Sequence, residues 1–324
     1  MLATRHILVA LADPAANSSN AIVRATEIAS QTGARVTLFH SLYSPYIAGE
    51  QFYTPGALQR DIEAAVNARK RALEHLAEPL TAAGIACNVR CRWDYPVHDS
   101  IVREVVREKV DLLILESHRH GAAARMVLGN TDWQLLRLCP CPVLLVKSAR
   151  RYLRPRVLVC VDPLHAHAKP AALDQRLLAT GKALAETFDG KLHAAHFYML
   201  EVPLAAGFIV EPIPLPTGIA EQHASEVRKA FEQLIVGYAL GARQAHLRQG
   251  LPIDELPALA AEIDAAVVVM GAVSRSGLKR LFIGHTAERV IDRLVCDVLV
   301  LKPDGFKTPV PRQATHRPVV VQPL

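Results

Sequence analysis

The segment MGAVSRSGLKRLFIGHT, at residues 270–286, combines the residue types from which proteins build phosphate-binding loops. It follows the apolar run AAVVV, which is typical of a buried strand, and its glycines, hydroxyl groups and basic side chains lead into a stretch with helical spacing. Glycine lets a backbone approach phosphate oxygens closely, and the free N–H groups of a helix N-terminus bind anions. The segment is therefore either a phosphate-binding loop or a strand-to-helix turn that needs small residues.

The elements that must position this loop occur twice in the chain. ILVALADP at residues 7–14 resembles VLVCVDP at 157–163, and VTLFHSLY resembles KLHAAHFY, with the histidines His40 and His196. VLGNTDWQLLRLCPCPVLLVK likewise resembles FIGHTAERVIDRLVCDVLVLK. Such self-similarity indicates one structural unit written twice. The predicted organisation is a first domain at residues 1–149, a second at 150–305 and an extended tail at 306–324.

Within each copy, apolar runs rich in β-branched residues alternate with stretches of helical period. In the first copy we predict strands at residues 6–12, 35–42, 87–92, 110–116 and 142–147. Helices are predicted between them, at residues 19–32, 58–83, 97–108 and 130–138. Strands that are apolar on both faces and alternate with helices are typical of a parallel sheet covered on both sides. The predicted fold class is therefore α/β, with two tandem doubly wound five-stranded parallel-sheet (Rossmann-like) domains.

In this predicted fold, the carboxyl ends of the strands would bind a ligand and the last strand of each copy would pair the two halves. Ligands of doubly wound sheets bind in the crevice at the carboxyl ends of the strands, which is where the glycine-bearing loop falls. The last strands, PVLLVK and DVLVLK, would be exposed edges in two separate sheets. Pairing of the halves across these strands predicts an intramolecular pseudo-dimer, with SARRYLRPR as the linker.

Composition restricts the partners and the compartment. The 37 basic and 31 acidic residues leave a formal charge of +6 that is spread along the chain, which permits small anionic ligands and does not by itself predict a nucleic-acid partner. No apolar run approaches the length of a membrane-spanning helix, and the N-terminal MLATRHILVALADP is interpreted as a strand and not a signal peptide. The six cysteines lie mostly in or beside apolar runs, so reduced thiols and a cytoplasmic location are expected.

These motifs together resemble the universal stress protein family, in its tandem type with two domains in one chain. The family carries a loop of the form Gly-x2-Gly-x9-Gly-Ser/Thr between the fourth strand and the last helix of a domain, and the resemblance covers both halves. It implies a cytoplasmic stress-response protein, commonly dimeric or pseudo-dimeric, with some members that bind ATP and others that do not. It also implies that Asp162, at the end of a predicted strand, corresponds to an aspartate that contacts the ribose of the nucleotide.

The loop of the second half fits that family pattern in part. Gly271 and Gly284 take the first and third glycine positions, whereas Ser274 replaces the second glycine. His285 stands in the Ser/Thr position, and Thr286, one place later, is a candidate helix cap. We therefore predict ATP or a related adenine nucleotide in the second domain only. The predicted binding residues are Asp162, Gly271, Ser274, Arg275, Gly284, His285 and Thr286.

The equivalent loop of the first half, LESHRHGAAARMVLGNT, departs further from the pattern. Glu116 and Arg119 occupy the first two glycine positions; a carboxylate there repels phosphate, and both side chains fill the space that the backbone needs. Gly129 is retained but Asn130 follows it, and the ribose-contacting position is Ala12. We therefore predict no ATP in this half, which would be a structural partner or a site for a different ligand.

Other chemistry has little support in this sequence. The catalytic patterns GxSxG, GxxxxGK[ST] and HExxH are absent, as is GxGxxG after a strand, so no catalytic residue is assigned and at most a weak ATPase activity is expected. The pairs His118/His120 and His165/His167 lack further ligands, so no metal site is assigned. Three functions stay open: a stress protein with a regulatory nucleotide, an interaction scaffold without a nucleotide, and a slow ATP hydrolase.

An apolar segment follows the second strand of each half, LYSPYIAGEQFYTPG at residues 42–56 and MLEVPLAAGFIVEPIPLPTG at 199–218. We interpret these segments as loops that fold over their own helices, or as lids or surfaces for a hydrophobic small ligand or a protein partner. The protein partners stay unknown, and association of the pseudo-dimeric chain into a homodimer stays open. Neither a nucleic acid nor a membrane is expected as a partner.

Overall fold

The chain forms two compact units. The computed structural model describes residues 4–14, 19–43, 55–117, 129–164, 171–206, 209–214, 216–272 and 285–314. One unit, the second domain, contains Tyr152–Asp304. The other unit, the first domain, contains the described residues up to Arg151 together with the tail that begins at Gly305. The boundaries predicted from the sequence stay predictions, and so does the pairing of the two halves.

The first domain alternates strands and helices as its sequence predicts. In chain order its elements are β1 (His6–Ala10), α1 (Asn20–Thr32), β2 (Arg35–Leu42), α2 (Pro55–Ala82), β3 (Cys87–Trp93), α3 (Val97–Glu108), β4 (Leu112–Glu116), α4 (Asn130–Leu138) and β5 (Val143–Val146). The order across its sheet is β3-β2-β1-β4-β5, and each neighbouring pair is parallel. The predicted doubly wound arrangement is confirmed.

The second domain repeats this arrangement and also contains a hairpin. Its elements are β6 (Arg156–Cys160), α5 (Ala171–Thr187), β7 (Lys191–Tyr198), β8 (Glu201–Ala206), β9 (Ile209–Pro214), α6 (Thr217–Ile235), β10 (Ala245–Gln249), α7 (Pro252–Glu262), β11 (Val267–Gly271), α8 (His285–Arg293) and β12 (Asp297–Leu301). The order across its main sheet is β10-β7-β6-β11-β12, again with parallel neighbours. The two domains therefore have the same strand order.

Burial explains why the apolar runs form the inner strands of each sheet. Every residue of β1 is buried, as are the first four residues of β11. Successive side chains of a strand point to opposite faces, so a fully buried strand needs cover on both faces, and the helices supply it. In each domain the first strand has the next two strands on one side of it and the last two on the other. This switch in strand order lies between β1 and β4, and between β6 and β11, and it opens a crevice at the carboxyl ends of those strands.

The segment at residues 199–218 differs from the loop that the sequence predicts. It contains β8 and β9, which pair antiparallel with Pro203 opposite Pro212, so the loop interpretation is wrong for these strands. Proline cannot donate to a strand ladder, which is why the sequence disfavours strands here. A two-stranded hairpin tolerates proline because each strand has a free edge to which the proline nitrogen can face. In the first half, residues 44–54 of the corresponding segment lie outside the described residues.

One buried polar contact repeats in both domains. Nδ1–H of His40 donates to the backbone oxygen of Leu11 at 2.8 Å, and the same atom of His196 donates to the backbone oxygen of Val161 at 2.9 Å. Each histidine thereby ties the second strand of its domain to the chain just after the first strand. Burial lowers the pKa of His40, so the ring is neutral near pH 7. The two histidines that the sequence repeat aligns have the same structural task.

Candidate nucleotide site and its first-domain counterpart

The second-domain crevice begins where β6 and β11 end side by side. The two strands are neighbours in parallel register, with Val159 opposite Val269. Two residues further along, β11 ends at Gly271 and the chain after β6 reaches Val161, which Asp162 follows. The structure thus brings Asp162 and Gly271, which are far apart in sequence, to the same edge of the sheet. That edge is where doubly wound proteins bind their ligands.

Asp162 is fixed by its backbone and leaves its side chain partly exposed. Its backbone N–H donates to Oδ1 of Asp174 at 3.1 Å, and Asp174 lies fully buried in the first turn of α5. A carboxylate near the N-terminus of a helix is stabilised by the helix dipole, so this contact holds the end of β6 against α5. The carboxylate of Asp162, which is neither buried nor fully exposed, can still accept hydrogen bonds from a ligand hydroxyl.

Gly271 is held close to α5 by apolar packing. A Cβ atom at this position would lie 2.9 Å from Cδ2 of Leu173 and 3.5 Å from Cδ1 of Leu177. The first of these distances is too short for two carbon atoms, so a side chain at this position would require Leu173, or α5 with it, to shift. The packing of Leu173 therefore favours glycine at residue 271 whether or not a nucleotide binds.

The remaining predicted residues belong to the loop between β11 and α8. Ser274, Arg275 and Gly284 lie outside the described residues. His285 begins α8 and Thr286 follows it, so their backbones form the first turn of that helix; their side chains also lie outside the described part. The helix start falls directly after the third glycine position of the pattern. The backbone N–H groups of this first turn are the type of donor that binds a phosphate.

In the first domain, Glu116 ends β4 at the place that Gly271 takes at the end of β11. Its carboxylate accepts a hydrogen bond from the Ser19 hydroxyl at 2.6 Å and one from the side-chain amide of Asn20 at 2.9 Å. The backbone nitrogen of Ala21 lies 3.4 Å from the same carboxylate. The sequence predicts that Glu116 fills a space and repels phosphate, and the structure shows that this side chain engages the N-terminus of α1.

The third glycine position of the first domain is also occupied by a contact within the protein. Gly129 precedes α4, and its backbone N–H donates to Oδ2 of Asp132, at 2.9 Å. Asn130 is the first residue of the helix. A carboxylate three residues into a helix that reaches back to the preceding N–H is one half of a capping box. This amide is therefore committed to the helix, while Arg119 lies outside the described residues.

Sequence reasoning misses the partners that complete both sites. Ser19 and Asn20 contact Glu116, and Leu173 and Asp174 contact the strand ends of the second crevice. A signal for the first pair is present, because serine and asparagine directly before an apolar helical stretch are typical of a helix N-cap. The sequence gives no comparable signal for Leu173, because its role depends on how closely α5 approaches β11.

Titratable side chains also cluster at the amino ends of the second-domain strands, away from the crevice. Nδ1 of His193 on β7 lies 3.0 Å from Nε2 of His246 on β10, and the rings are stacked. Burial, and then the neighbouring His246, Arg156 and Lys191, lowers the pKa of His193 to about 4. Burial also lowers the pKa of His246. Both rings are therefore neutral near pH 7, and one ring nitrogen donates to the other.

Neither a metal site nor a membrane-spanning helix is found in the part of the chain that the structure describes. No three side chains of His, Cys, Asp or Glu are grouped there in a way that could hold a metal ion. The pairs His118/His120 and His165/His167 lie outside that part. None of the described helices combines the length and the apolar character that a membrane crossing needs.

Comparison with known proteins identifies the same unit in both halves. A model of the universal stress protein family matches residues 3–147 and 154–302. Universal stress protein E of Photorhabdus laumondii is 28% identical over 313 residues, which cover 95% of this chain and 98% of that protein. Universal stress protein E of Escherichia coli K12 is 28% identical over 314 residues, which cover 94% and 96%. The likeness to these proteins therefore spans both domains.

Solved structures show the same architecture. A functionally unknown protein from Pseudomonas aeruginosa PAO1 superposes with a TM-score of 0.72 at 27% identity, over 93% of this chain and 94% of that chain. A universal stress protein from Archaeoglobus fulgidus superposes with a TM-score of 0.64 at 18% identity, over 92% and 98% of the two chains. The second likeness shows the fold alone.

Proposed function

Since this chain belongs to the universal stress protein family and contains two copies of its domain, we propose that the second domain binds ATP or a related adenine nucleotide as a regulatory ligand. The observation that carries this proposal is the meeting of Asp162 and Gly271 at the ends of β6 and β11. The family resemblance gives these two positions to the ribose and to the first glycine of the phosphate loop. Their convergence at one crevice is what a single bound nucleotide requires.

The residues at this crevice have complementary tasks in the proposed binding mode. The carboxylate of Asp162 accepts hydrogen bonds from the ribose hydroxyls, and Gly271 adds no side chain of its own at the strand end. Arg275 contributes positive charge, Ser274 a hydroxyl donor, and the first turn of α8 its free N–H groups. The nucleotide would act as a ligand whose presence changes the surface around the crevice. At most a weak ATPase activity is expected, because no general base is assigned.

Calorimetric titration of ATP into the purified full chain tests this proposal. We expect one nucleotide per chain and loss of binding in Gly284→Asp, because the new carboxylate would face the phosphates. Gly129→Asp, at the equivalent place in the first domain, is the matched control, since aspartate is a favoured residue before a helix. Absence of heat with the unaltered protein would end the proposal. Binding that survives Gly284→Asp would place the nucleotide elsewhere.

A scaffold function without a nucleotide is the second candidate, and two contacts favour it. Leu173 packs on Gly271, and Asp174 accepts from the N–H of Asp162, so both strand ends are tied to α5 by the protein alone. A scaffold predicts that ATP causes no heat and no change in melting temperature. A slow ATP hydrolase is the third candidate, and it predicts phosphate release above background that is lost in Asp162→Ala.

The setting of this function follows from the family and the composition. We propose a cytoplasmic protein whose pseudo-dimeric chain can associate into a homodimer, with protein partners that stay unknown. A hydrophobic small ligand near the apolar segments stays open. Sedimentation of the purified chain with and without ATP would measure the oligomeric state and its dependence on the nucleotide.

A further inference from the structure

In the first domain, the carboxylate of Glu116 lies at the N-terminus of α1, where a helix would bind a free anion. Both oxygens of Glu116 are engaged, Oε1 by the amide of Asn20, and Oε2 by the hydroxyl of Ser19 and by the nearby backbone nitrogen of Ala21. Side-chain donors combined with a backbone N–H at a helix N-terminus are the groups that bind free phosphate or carboxylate. Hydrogen bonds to an ionised acceptor are also stronger than those between neutral groups.

Helix α1 does not supply this negative charge itself. Its first turn contains no acidic residue, and the hydroxyl of Ser19, at the N-cap position, makes no cap bond to its own helix. The N–H groups of a first turn need acceptors, and the positive end of the helix dipole favours an anion. Glu116, which is 97 residues from Ser19, provides both the acceptor and the charge.

The second domain supplies the negative charge at the equivalent helix from a different element. Its strand order is the same, but Gly271 has no side chain, and Leu173 of α5 packs beside it. The negative charge at the start of α5 comes from Asp174 of its own first turn. In the first domain the charge comes instead from Glu116 at the end of β4, the edge of the sheet at which a ligand of the first crevice would bind.

We propose that Glu116 is a built-in anion, which occupies the N-terminus of α1 and closes the first-domain crevice to ligands with a phosphate or carboxylate group. An incoming anion would have to displace a carboxylate that stays attached to β4 and remains close by. The contact is thus autoinhibitory for anionic ligands. It does not depend on the nucleotide proposed for the second domain, and a failure of ATP binding there would leave it unaffected.

Chemical rescue of Glu116→Ala tests the proposal in the full chain. Both tryptophans of the protein, Trp93 and Trp133, lie in the first domain, so their fluorescence reports its melting. In sodium chloride we expect Glu116→Ala to melt about 4 °C lower than the unaltered protein, because the donors of α1 lose their acceptor. Sodium acetate or sodium phosphate at the same ionic strength should restore at least half of this loss.

Two control variants separate rescue from general salt effects. Glu63→Ala removes an exposed carboxylate from α2 and should respond to the three salts as the unaltered protein does. Glu116→Gln fills the same space without the charge, so it should lose stability and gain nothing from acetate or phosphate. If Glu116→Ala responds to these anions no more than the unaltered protein, the side chain does not occupy an anion site and the proposal is overturned.

A double-mutant cycle covers the case in which Glu116→Ala does not fold. Ser19→Ala should lower the melting temperature of the unaltered protein, but at most half as much in the Glu116→Gln background, because the two side chains share one contact. Equal shifts in the two backgrounds would mean that Ser19 and Glu116 act independently, which also overturns the proposal.

Discussion

The ends of β4 and β11 take the same place in two copies of one fold, but the contact with the adjacent helix differs between them. In the first domain, Glu116 reaches the N-terminus of α1 through hydrogen bonds. In the second domain, Gly271 has no side chain, and Leu173 fills the space beside it. At this strand end, one copy therefore has a polar contact with the helix and the other an apolar one. The polar contact of the second copy lies at the end of β6, where Asp174 accepts from the N–H of Asp162. The difference teaches that a lost glycine in such a loop can be replaced by a contact with a structural role.

The largest expected effect comes from giving the second domain the residue of the first. Gly271→Glu would place a Cβ against Leu173 and bury a carboxylate near α5. We expect the free energy of unfolding of the second domain to fall by about 3 kcal/mol, from overpacking and from burial of a charge. Unfolding in urea, followed by circular dichroism for both domains and by tryptophan fluorescence for the first, measures this loss.

Gly218→Glu is the matched control for that change. Gly218 lies in α6, where an added Cβ meets no atom within 4 Å, so the expected change in stability is within about 0.5 kcal/mol. Gly271→Ala in a Leu173→Ala background should also be better tolerated than Gly271→Ala alone. If Gly271→Glu unfolds at the same urea concentration as the unaltered protein, the packing explanation of this glycine is wrong.

A smaller effect is expected at the amino ends of the strands, where each domain buries an imidazole next to a different partner. In the first domain, Nε2 of His6 lies 2.8 Å from the hydroxyl of Thr37, whereas His193 in the second domain lies next to His246. The charges around the second pair are those of Arg156, Lys191 and Arg248, which oppose protonation, and of Glu262, which favours it. Burial lowers the pKa of His6 as well, but the neighbouring His246, Arg156 and Lys191 add to the burial of His193 and lower its pKa to about 4, so this pair should make the second domain sensitive to acid.

The direction of this pH dependence follows from the lowered pKa of His193. The unfolded chain binds a proton at this residue below its ordinary pKa of 6.5, while the folded domain resists protonation down to about 4. Stability is therefore full above pH 6.5 and is lost as the pH falls from there towards 4, by roughly 2 kcal/mol between pH 7 and 5. Urea unfolding of His193→Gln across this range should show a flatter profile. An unchanged profile would remove His193 as the cause.

The smallest effect is expected at the third glycine position. Asp132→Ala should lower the stability of the first domain by about 1 kcal/mol, because the N–H of Gly129 loses its acceptor and α4 loses its capping contact. Tryptophan fluorescence, with Trp133 in the same helix, follows this change. Asp132→Asn, which keeps a polar side chain of the same size, should cost less. If Asp132→Ala leaves the stability unchanged, the hydrogen bond to Gly129 contributes nothing to it.

The sequence predicts the elements of the first domain closely because their signals are local. β2, α3 and α4 begin and end at the predicted residues, and the other strands differ by one or two residues at their ends. The periodicity of apolar residues decides between helix and strand, and the repeat supplies the same elements for the second domain. The hairpin of β8 and β9 is not predicted in this way, because the apolar pattern identifies inner strands and proline is unfavourable in an inner strand. Both strands of the hairpin contain proline.

By itself, the sequence determined the repeat, the strand and helix pattern, and the contrast between Glu116 and Gly271. Only the tertiary structure decided what these two residues contact. Ser19 and Glu116 are 97 residues apart and meet because β4 ends beside the start of α1. Leu173 and Gly271 meet because α5 packs closely on β11. Such contacts depend on the distance between elements that are remote in sequence, and that distance is set by the packing of the whole domain.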